Sequence, residues 1–147
     1  MIKTFFAPGY NSAIANLALF VLRVWIGLEM ALLHGWDKLS NFDKYTAHFV
    51  SLPGLNVSTS LTLSIFAEFF ASLMLVFGLL TRFAALVLAI NMTVAFIMAH
   101  HGKLAGEHSG ELAFVYLLIY VTIFIGGPGK ISLDKILFGN SSARKSS

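Results

Sequence analysis

Residues 16–39 read NLALFVLRVWIGLEMALLHGWDKL, and this apolar run decides the fold. About 20 residues at ~1.5 Å each cross the ~30 Å hydrocarbon core of a bilayer as a helix. The run nevertheless contains ionisable residues, each of which costs about 2.5–3.5 kcal/mol near the bilayer centre. They are Arg23, Glu29, His34, Asp37 and Lys38. Because such groups face a bundle interior and find partners there, we expect other helices to surround this one.

At 100° per residue, one face of this helix collects Arg23, Gly27, Met30, His34 and Lys38. Glu29 lies well off that face, so the helix does not pair its own arginine. The partner of Arg23 must come from elsewhere in the chain, either an acid such as Glu68 or backbone carbonyls. Gly27, Ala31 and Gly35 recur every fourth residue and predict a close approach by a second helix.

The composition is that of an integral membrane protein. The 147 residues are 57% hydrophobic and 12% charged, and the mean hydropathy is +0.80, whereas a soluble domain is about 25% charged. The chain has no cysteine, which excludes disulfides, thiolate metal sites and thiol redox chemistry by the chain itself. Electrons would therefore have to reside on a bound cofactor, a quinone-like substrate or a partner.

Hydropathy predicts one all-α domain over 1–147, an integral membrane antiparallel bundle of four transmembrane helices. The predicted helices are 15–36, 60–80, 83–99 and 111–125. Short amphipathic interfacial segments are predicted at the amino-terminal arm, at 43–52 and after the Gly126–Gly129 turn, and a disordered tail at 140–147.

Basic residues predict the orientation. With the amino terminus inside, six basic residues are cytoplasmic: Lys3, Arg82, Lys130, Lys135, Arg144 and Lys145. Three are external: Lys38, Lys44 and Lys103. This favours a plasma (inner) membrane protein with both termini in the cytoplasm. One outward-facing polar pocket then follows, with Glu68 near the midplane, Arg23 deeper, and the remaining polar residues near the outer surface: His34, Lys38, His100, His101 and Glu111.

The sequence resembles the DoxX family in four motifs. The resembling motifs are HGWDK at His34–Lys38, Glu68 within AEFFASLMLVFGLLTRFAAL, Ser109-Gly110-Glu111, and GPGKISLD at Gly127–Asp134. They extend in order from about Leu17 to Asp134. Glu29 matches no family position, and Ile131 stands where the family often has an aromatic residue.

The resemblance implies a four-helix membrane bundle in a bacterial or archaeal plasma membrane, and a link to redox chemistry. Some relatives are subunits of a thiosulfate:quinone oxidoreductase, and others are tied to quinone or oxidative-stress detoxification. Distant relatives act as cargo receptors or assembly chaperones. The resemblance implies the fold of the chain more specifically than its function.

Two residues are the candidates for proton transfer to a bound quinone, Glu68 and His34. The predicted substrate-binding residues are Arg23, Lys38, Asn91, His101 and Glu111. Several of them have a structural alternative: an ion pair or serine hydrogen bond for Glu68, an interhelical hydrogen bond for Asn91, and a Lys38–Glu111 ion pair at the pocket mouth. His100, His101, His108 and Glu111 are also metal-ligand candidates, but glycines make this loop flexible, and we predict no metal site.

The leading functional hypothesis is therefore a small membrane subunit that binds a quinone or similar lipophilic substrate. As an oxidoreductase subunit it would need a separate electron donor, either a partner or a soluble reductant. No covalently bound cofactor is predicted. The alternatives are a non-catalytic scaffold or assembly factor for oxidoreductases, and a carrier of a small hydrophobic molecule. The partners considered are the lipid bilayer, a soluble or membrane oxidoreductase and a second copy of the chain, with no nucleic acid.

Overall fold

The computed structural model describes residues 12–107 and 109–139, and every regular element in those ranges is helical. Three long helices each continue through a π-helical segment. Helix α1 comprises Ser12–Glu29, Met30–Gly35 and Trp36–Ser40; α3 comprises Val57–Ile65, Phe66–Ala71 and Ser72–Phe77; α4 comprises Thr81–Val94 and Ala95–Ala99. The other helices are α2 at Phe42–Thr46, α5 at Glu111–Gly126 and α6 at Leu133–Phe138. The all-α prediction is confirmed for this part of the chain.

Three helices in the described ranges are long and apolar enough to cross a membrane: Ala13–Ser40, Val57–Phe77 and Thr81–Ala99. Large apolar side chains on their outer surfaces are exposed, as expected for contact with lipid. Trp25, for example, is 74% exposed. Helix α5 is also apolar but has only 16 residues, so the membrane character of the chain is supported, whereas a fourth crossing stays a prediction.

Small residues allow the helices to pack closely. A Cβ atom on Gly27 would lie 3.0 Å from the Ser72 carbonyl oxygen of α3, and Ala31 is fully buried. The predicted close approach therefore occurs between α1 and α3. Helices α4 and α5 pack along each other through buried alanines and aromatic residues, among them Ala84, Ala85, Tyr116 and Tyr120.

The helix ends have clear chemical causes. Asn56 begins α3 by accepting a hydrogen bond from the Thr59 amide at 2.8 Å. Gly78 ends α3 with a φ of +68°, and a side chain there would meet the Arg23 guanidinium. The observed helices begin and end within a few residues of the predicted ones, except that α1 continues four residues beyond residue 36. The predicted amino-terminal arm up to residue 11 and the tail at 140–147 lie outside the described residues.

Candidate functional site

Three π-helical segments surround one polar region. They are Met30–Gly35 in α1, Phe66–Ala71 in α3 and Ala95–Ala99 in α4, and the first two pack against each other. A π turn widens the helix, changes the direction of the side chains that follow, and is common at functional sites. His34 lies in the first segment and Glu68 in the second. The π-helical geometry of these segments is not predicted by the sequence.

Gly35 brings α1 against the backbone of α3 beside Glu68. A Cβ atom at Gly35 would lie 2.6 Å from the Phe69 nitrogen and 2.7 Å from the Glu68 carbonyl oxygen, so only glycine fits without a shift of the helices. Lys38 follows Gly35 by three residues, about one turn, and therefore projects from the same helix face. The glycine thus sets the distance over which Lys38 meets Glu68.

Lys38 and Glu68 form a buried ion pair. The Lys38 Nζ donates to Glu68 Oε1 at 2.6 Å and to Oε2 at 2.5 Å, and the two side chains are 17% and 4% exposed. Ser64 Oγ and Asn91 Nδ2 also donate to Oε1, at 3.1 Å and 3.0 Å. Glu68 therefore accepts from side chains of α1, α3 and α4, the pattern of an ionised carboxylate with satisfied acceptors.

A cavity of about 350 Å³ opens on one side of this pair, and we call it the front cavity. Helices α3 and α4 supply its polar Ser64, Glu68 and Asn91, and His100 lies at its rim. Residues that follow α1 in the chain also line it: Tyr45, His48, Phe49 and Val50. The front cavity thus joins a charged pair and an amide to an apolar, aromatic wall, which is typical of a small-molecule site.

A second cavity, of about 260 Å³, lies on the other side of the pair, and we call it the rear cavity. It shares Lys38, Glu68, Ala95 and His100 with the front cavity and is otherwise lined by residues of α1, α4 and α5 and by Ser109. His34 belongs to this side, with its ring edge-on to Tyr116 at 5.9 Å between centroids. The single predicted pocket is therefore two cavities that meet at the ion pair.

Glu29, for which the sequence suggested no role, lies close to the rear cavity. Its carboxylate is beside the Tyr116 hydroxyl, although the two groups do not meet hydrogen-bond geometry. Glu29, which lies off the Arg23 face of α1, therefore points toward Tyr116 of α5.

The segment after α1 is fixed over the front cavity by its own polar contacts. Tyr45 donates a hydrogen bond to Asp37, and this bond, with burial, raises the pKa of Tyr45 to about 12. Lys38 Nζ lies 5.8 Å from the centroid of the Phe49 ring, within cation–π range. Phe49 therefore touches the charged pair as well as the cavity wall.

Arg23 lies at the other end of the helices. It is 1% exposed, and its guanidinium donates to the carbonyls of Pro128 at 2.9 Å and Ile131 at 2.6 Å. The sequence predicts either Glu68 or backbone carbonyls as partners of Arg23, and in the structure the partners are backbone carbonyls. Asp134, in the same segment, accepts from the Leu80 and Thr81 amides at 2.7 and 2.8 Å and so begins α4.

Several predicted site residues are not in the cavities at Glu68. Arg23 lines neither the front nor the rear cavity. The predicted Lys38–Glu111 ion pair is wrong, because Lys38 pairs with Glu68 while Glu111 is exposed at the start of α5. His101 is exposed in the loop after α4, with a φ of +52°, and its neighbour His100 lines both cavities instead.

The metal-ligand candidates do not converge in the part of the chain that the structure describes. No group of three or more His, Asp or Glu side chains suited to a metal ion occurs there. His108 lies outside the described residues, and His100 and His101 diverge at the end of α4.

Sequence reasoning missed the contribution of Tyr45, His48 and Phe49 to the front cavity. An available signal is the aromatic and histidine content of the segment between the first two spans, from which only an interfacial helix is predicted. Phe42–Thr46 is indeed a short helix, but the residues after it fold back toward Glu68.

Comparisons with known proteins identify the family of the chain. The DoxX family model matches residues 18–101, which include Lys38, Glu68 and Asn91. An uncharacterized protein of Haemophilus influenzae is 30% identical over 120 residues, covering 74% of this chain and 83% of its own length. A second uncharacterized protein of that organism is 27% identical over 135 residues, covering 88% and 87%. No solved structure is a significant match. The chain therefore belongs to the DoxX family.

Proposed function

We propose that this chain binds a quinone or similar lipophilic redox molecule in the front cavity, as a small subunit associated with redox chemistry. The observation that carries the proposal is the Lys38–Glu68 pair, which lies within membrane-length helices and yet lines two cavities. Ionisable groups inside a membrane are costly and mark functional sites by default. Because the pair borders open volume on two sides, a ligand in either cavity would contact it.

The proposal includes an arrangement in the bacterial inner membrane. Helix α5 crosses as a fourth span, because its 16 residues extend about 24 Å and its side chains are apolar. Both termini then lie in the cytoplasm, and the Lys38–Glu68 end faces outward. Single cysteines at Ser109 and at Lys130, in a chain that has no cysteine of its own, should be alkylated from opposite sides of the membrane. Alkylation of both from one side would contradict a fourth crossing.

The front cavity offers what a quinone head group needs. Quinone oxygens accept hydrogen bonds, and the Lys38 ammonium and the Asn91 amide are donors at the cavity surface. Phe49 and Tyr45 supply aromatic surface for the ring. The pair has no net charge, so it suits a neutral carbonyl compound better than an anion.

Reduction of a quinone to a hydroquinone takes two electrons and two protons. In the proposed role the electrons come from a partner oxidoreductase or a soluble reductant. Lys38 stabilises the negative charge that develops on the quinone oxygen. Glu68 borders both cavities, so a proton from the His34 side reaches the ligand side through the pair.

Organic extraction and mass spectrometry of the gently purified protein test the proposal. We expect near-stoichiometric quinone in the wild type and in Glu111→Gln, an exposed acid that serves as the matched control. Glu68→Gln should lose the quinone. Bulk lipid alone in all three proteins would overturn the proposal and favour a scaffold for oxidoreductases. A stoichiometric hydrophobic molecule with no redox chemistry would favour a carrier.

A further inference from the structure

An apolar groove between α3 and α4 opens toward the lipid. Its volume is about 290 Å³, and its walls include Leu63, Phe66 and Ala67 of α3 and Val87 and Ile90 of α4. Leu63, Phe66 and Ile90 are 48%, 43% and 56% exposed, on the outer surface of helices that are long enough to span the bilayer. The groove is therefore accessible from the hydrocarbon region.

This groove continues into the front cavity. Four residues line both: Phe49, Ser64, Asn91 and Val94. Asn91 lies at the junction, where its Nδ2 donates to Glu68 Oε1 at 3.0 Å. The combined volume is polar at the Lys38–Glu68 end and apolar over the rest of its length. Such a shape matches an amphiphile with a small polar head and a hydrocarbon tail.

We infer that the ligand of this site is a neutral, carbonyl-bearing ring with a prenyl or alkyl tail, and that its tail lies in the groove between α3 and α4. This inference rests on the proposed function and specifies the ligand class and the route. The ligand enters sideways from the bilayer, head first, until the ring contacts Asn91 and Lys38. The head stays at the ion pair while the tail remains in the groove.

The charges at the junction argue against two other amphiphiles. A phospholipid phosphate or a fatty-acid carboxylate would need an unpaired cation, but the charge of Lys38 is balanced by Glu68. An added anion would lie beside the Glu68 carboxylate and be repelled by it. A neutral carbonyl accepts from the Asn91 amide without that repulsion.

Lipid tails are as apolar as the groove wall, so moving the ligand tail from lipid into the groove brings no hydrophobic gain. The groove therefore selects its ligand by shape. A bulky side chain at the groove mouth should therefore exclude the tail while leaving the head-group site intact. Ile90 is suited to this test because its side chain lines the groove and is already lipid-exposed.

The experiment measures equilibrium binding of two synthetic quinones to purified protein in detergent, one with a three-unit prenyl tail and one without a tail. Ile90→Trp should weaken binding of the tailed quinone at least tenfold and leave the tail-less quinone unchanged. Leu118→Trp, on the exposed surface of α5, is the matched control and should change neither. Val87→Trp gives the same test at a second groove position if Ile90→Trp fails to fold.

A tailed quinone that carries a diazirine at the far end of its tail locates the tail directly. We expect photolabelling within 63–67 and 87–94, prevented by excess unlabelled tailed quinone. Labelling of α1 or α5, or unchanged binding to both Trp variants, would overturn the groove while leaving quinone binding itself intact. Failure of the wild type to bind either quinone would overturn the proposed function and this inference together.

Discussion

The two ends of the helices satisfy buried charge in different ways. Arg23 donates to the backbone carbonyls of Pro128 and Ile131, which the Gly127–Asp134 segment holds in place. Glu68 accepts from side chains that three different helices supply. Backbone acceptors are fixed by the course of the chain, whereas side chains can rearrange around a ligand.

The Arg23 end therefore has the features of a structural anchor, and the Lys38–Glu68 end has those of a binding site. At the Arg23 end, the carboxyl-terminal segment also caps α4 through Asp134, so one segment ties α1, α3 and α4 together. At the Lys38–Glu68 end, three helices change to π geometry and leave cavities on both sides of the charges. A mutation at the first end should change stability, and one at the second should also change ligand binding.

The largest loss of stability is expected for Arg23→Met. Two buried carbonyls lose charged donors, each worth about 1.5–3 kcal/mol, so the free energy of unfolding should fall by about 3–6 kcal/mol. Thermal unfolding of the purified protein in detergent measures the change. Lys130→Met, an exposed basic residue in the same segment, is the control and should unfold near the wild-type temperature. Equal losses for the two variants would show that Arg23 is not an anchor.

Breaking the ion pair should be the next largest effect. Glu68→Gln leaves Lys38 without its carboxylate and should cost about 3 kcal/mol, near the lower end of the range for buried pairs because Lys38 is 17% exposed. The paired variant Lys38→Met with Glu68→Leu removes both charges and should recover most of that loss. Thermal unfolding of the single and paired variants checks this. A paired variant less stable than Glu68→Gln would contradict the expected energetics.

Substitutions at two glycines of α1 allow the helix packing at the two ends of the bundle to be compared. In Gly35→Ala the new Cβ meets the backbone of Glu68 and Phe69, whereas in Gly27→Ala the nearest atom is a methyl group of the Val76 side chain. Gly35→Ala should therefore cost about 1–3 kcal/mol and Gly27→Ala less. Only Gly35→Ala should also weaken quinone binding, because it separates Lys38 from Glu68. Unfolding temperatures and quinone titrations of both variants measure these effects, and a greater loss at Gly27 would reverse the assignment.

The smallest effect is expected at the segment over the front cavity. Tyr45→Phe removes the hydrogen bond to Asp37 and should cost about 1 kcal/mol at neutral pH. The raised pKa of Tyr45 means that its contribution is complete below pH about 10 and is lost as pH rises to about 12. The stability difference between wild type and Tyr45→Phe should therefore shrink over that interval in pH-dependent unfolding. A difference that stays constant would contradict the Tyr45–Asp37 bond.

Much of the helical architecture could be predicted from the sequence because hydropathy and helical periodicity are local properties. The spans, the short turn before Arg82 and the Gly27–Ala31–Gly35 contact all depend on residues close together in the chain. Glu68 was identifiable because an acid in an apolar run is costly wherever it lies.

The pairing of Lys38 with Glu68 could not be predicted in the same way. Lys38 lies 30 residues before Glu68, and the direction of its side chain depends on the π segment that precedes it. Glu111 was an equally plausible partner by depth alone. His100 and His101 are adjacent, so only the course of the chain after α4 decides which one lines the cavities.

The central claim is that the Lys38–Glu68 pair binds a quinone head group and does not merely stabilise the helices. The most direct test titrates a prenyl quinone into the wild type and into the paired variant Lys38→Met with Glu68→Leu, after unfolding temperatures have shown that both are folded. We expect one quinone per wild-type chain and at least tenfold weaker binding to the paired variant. Equal binding by the two proteins would contradict it and leave the pair a structural contact.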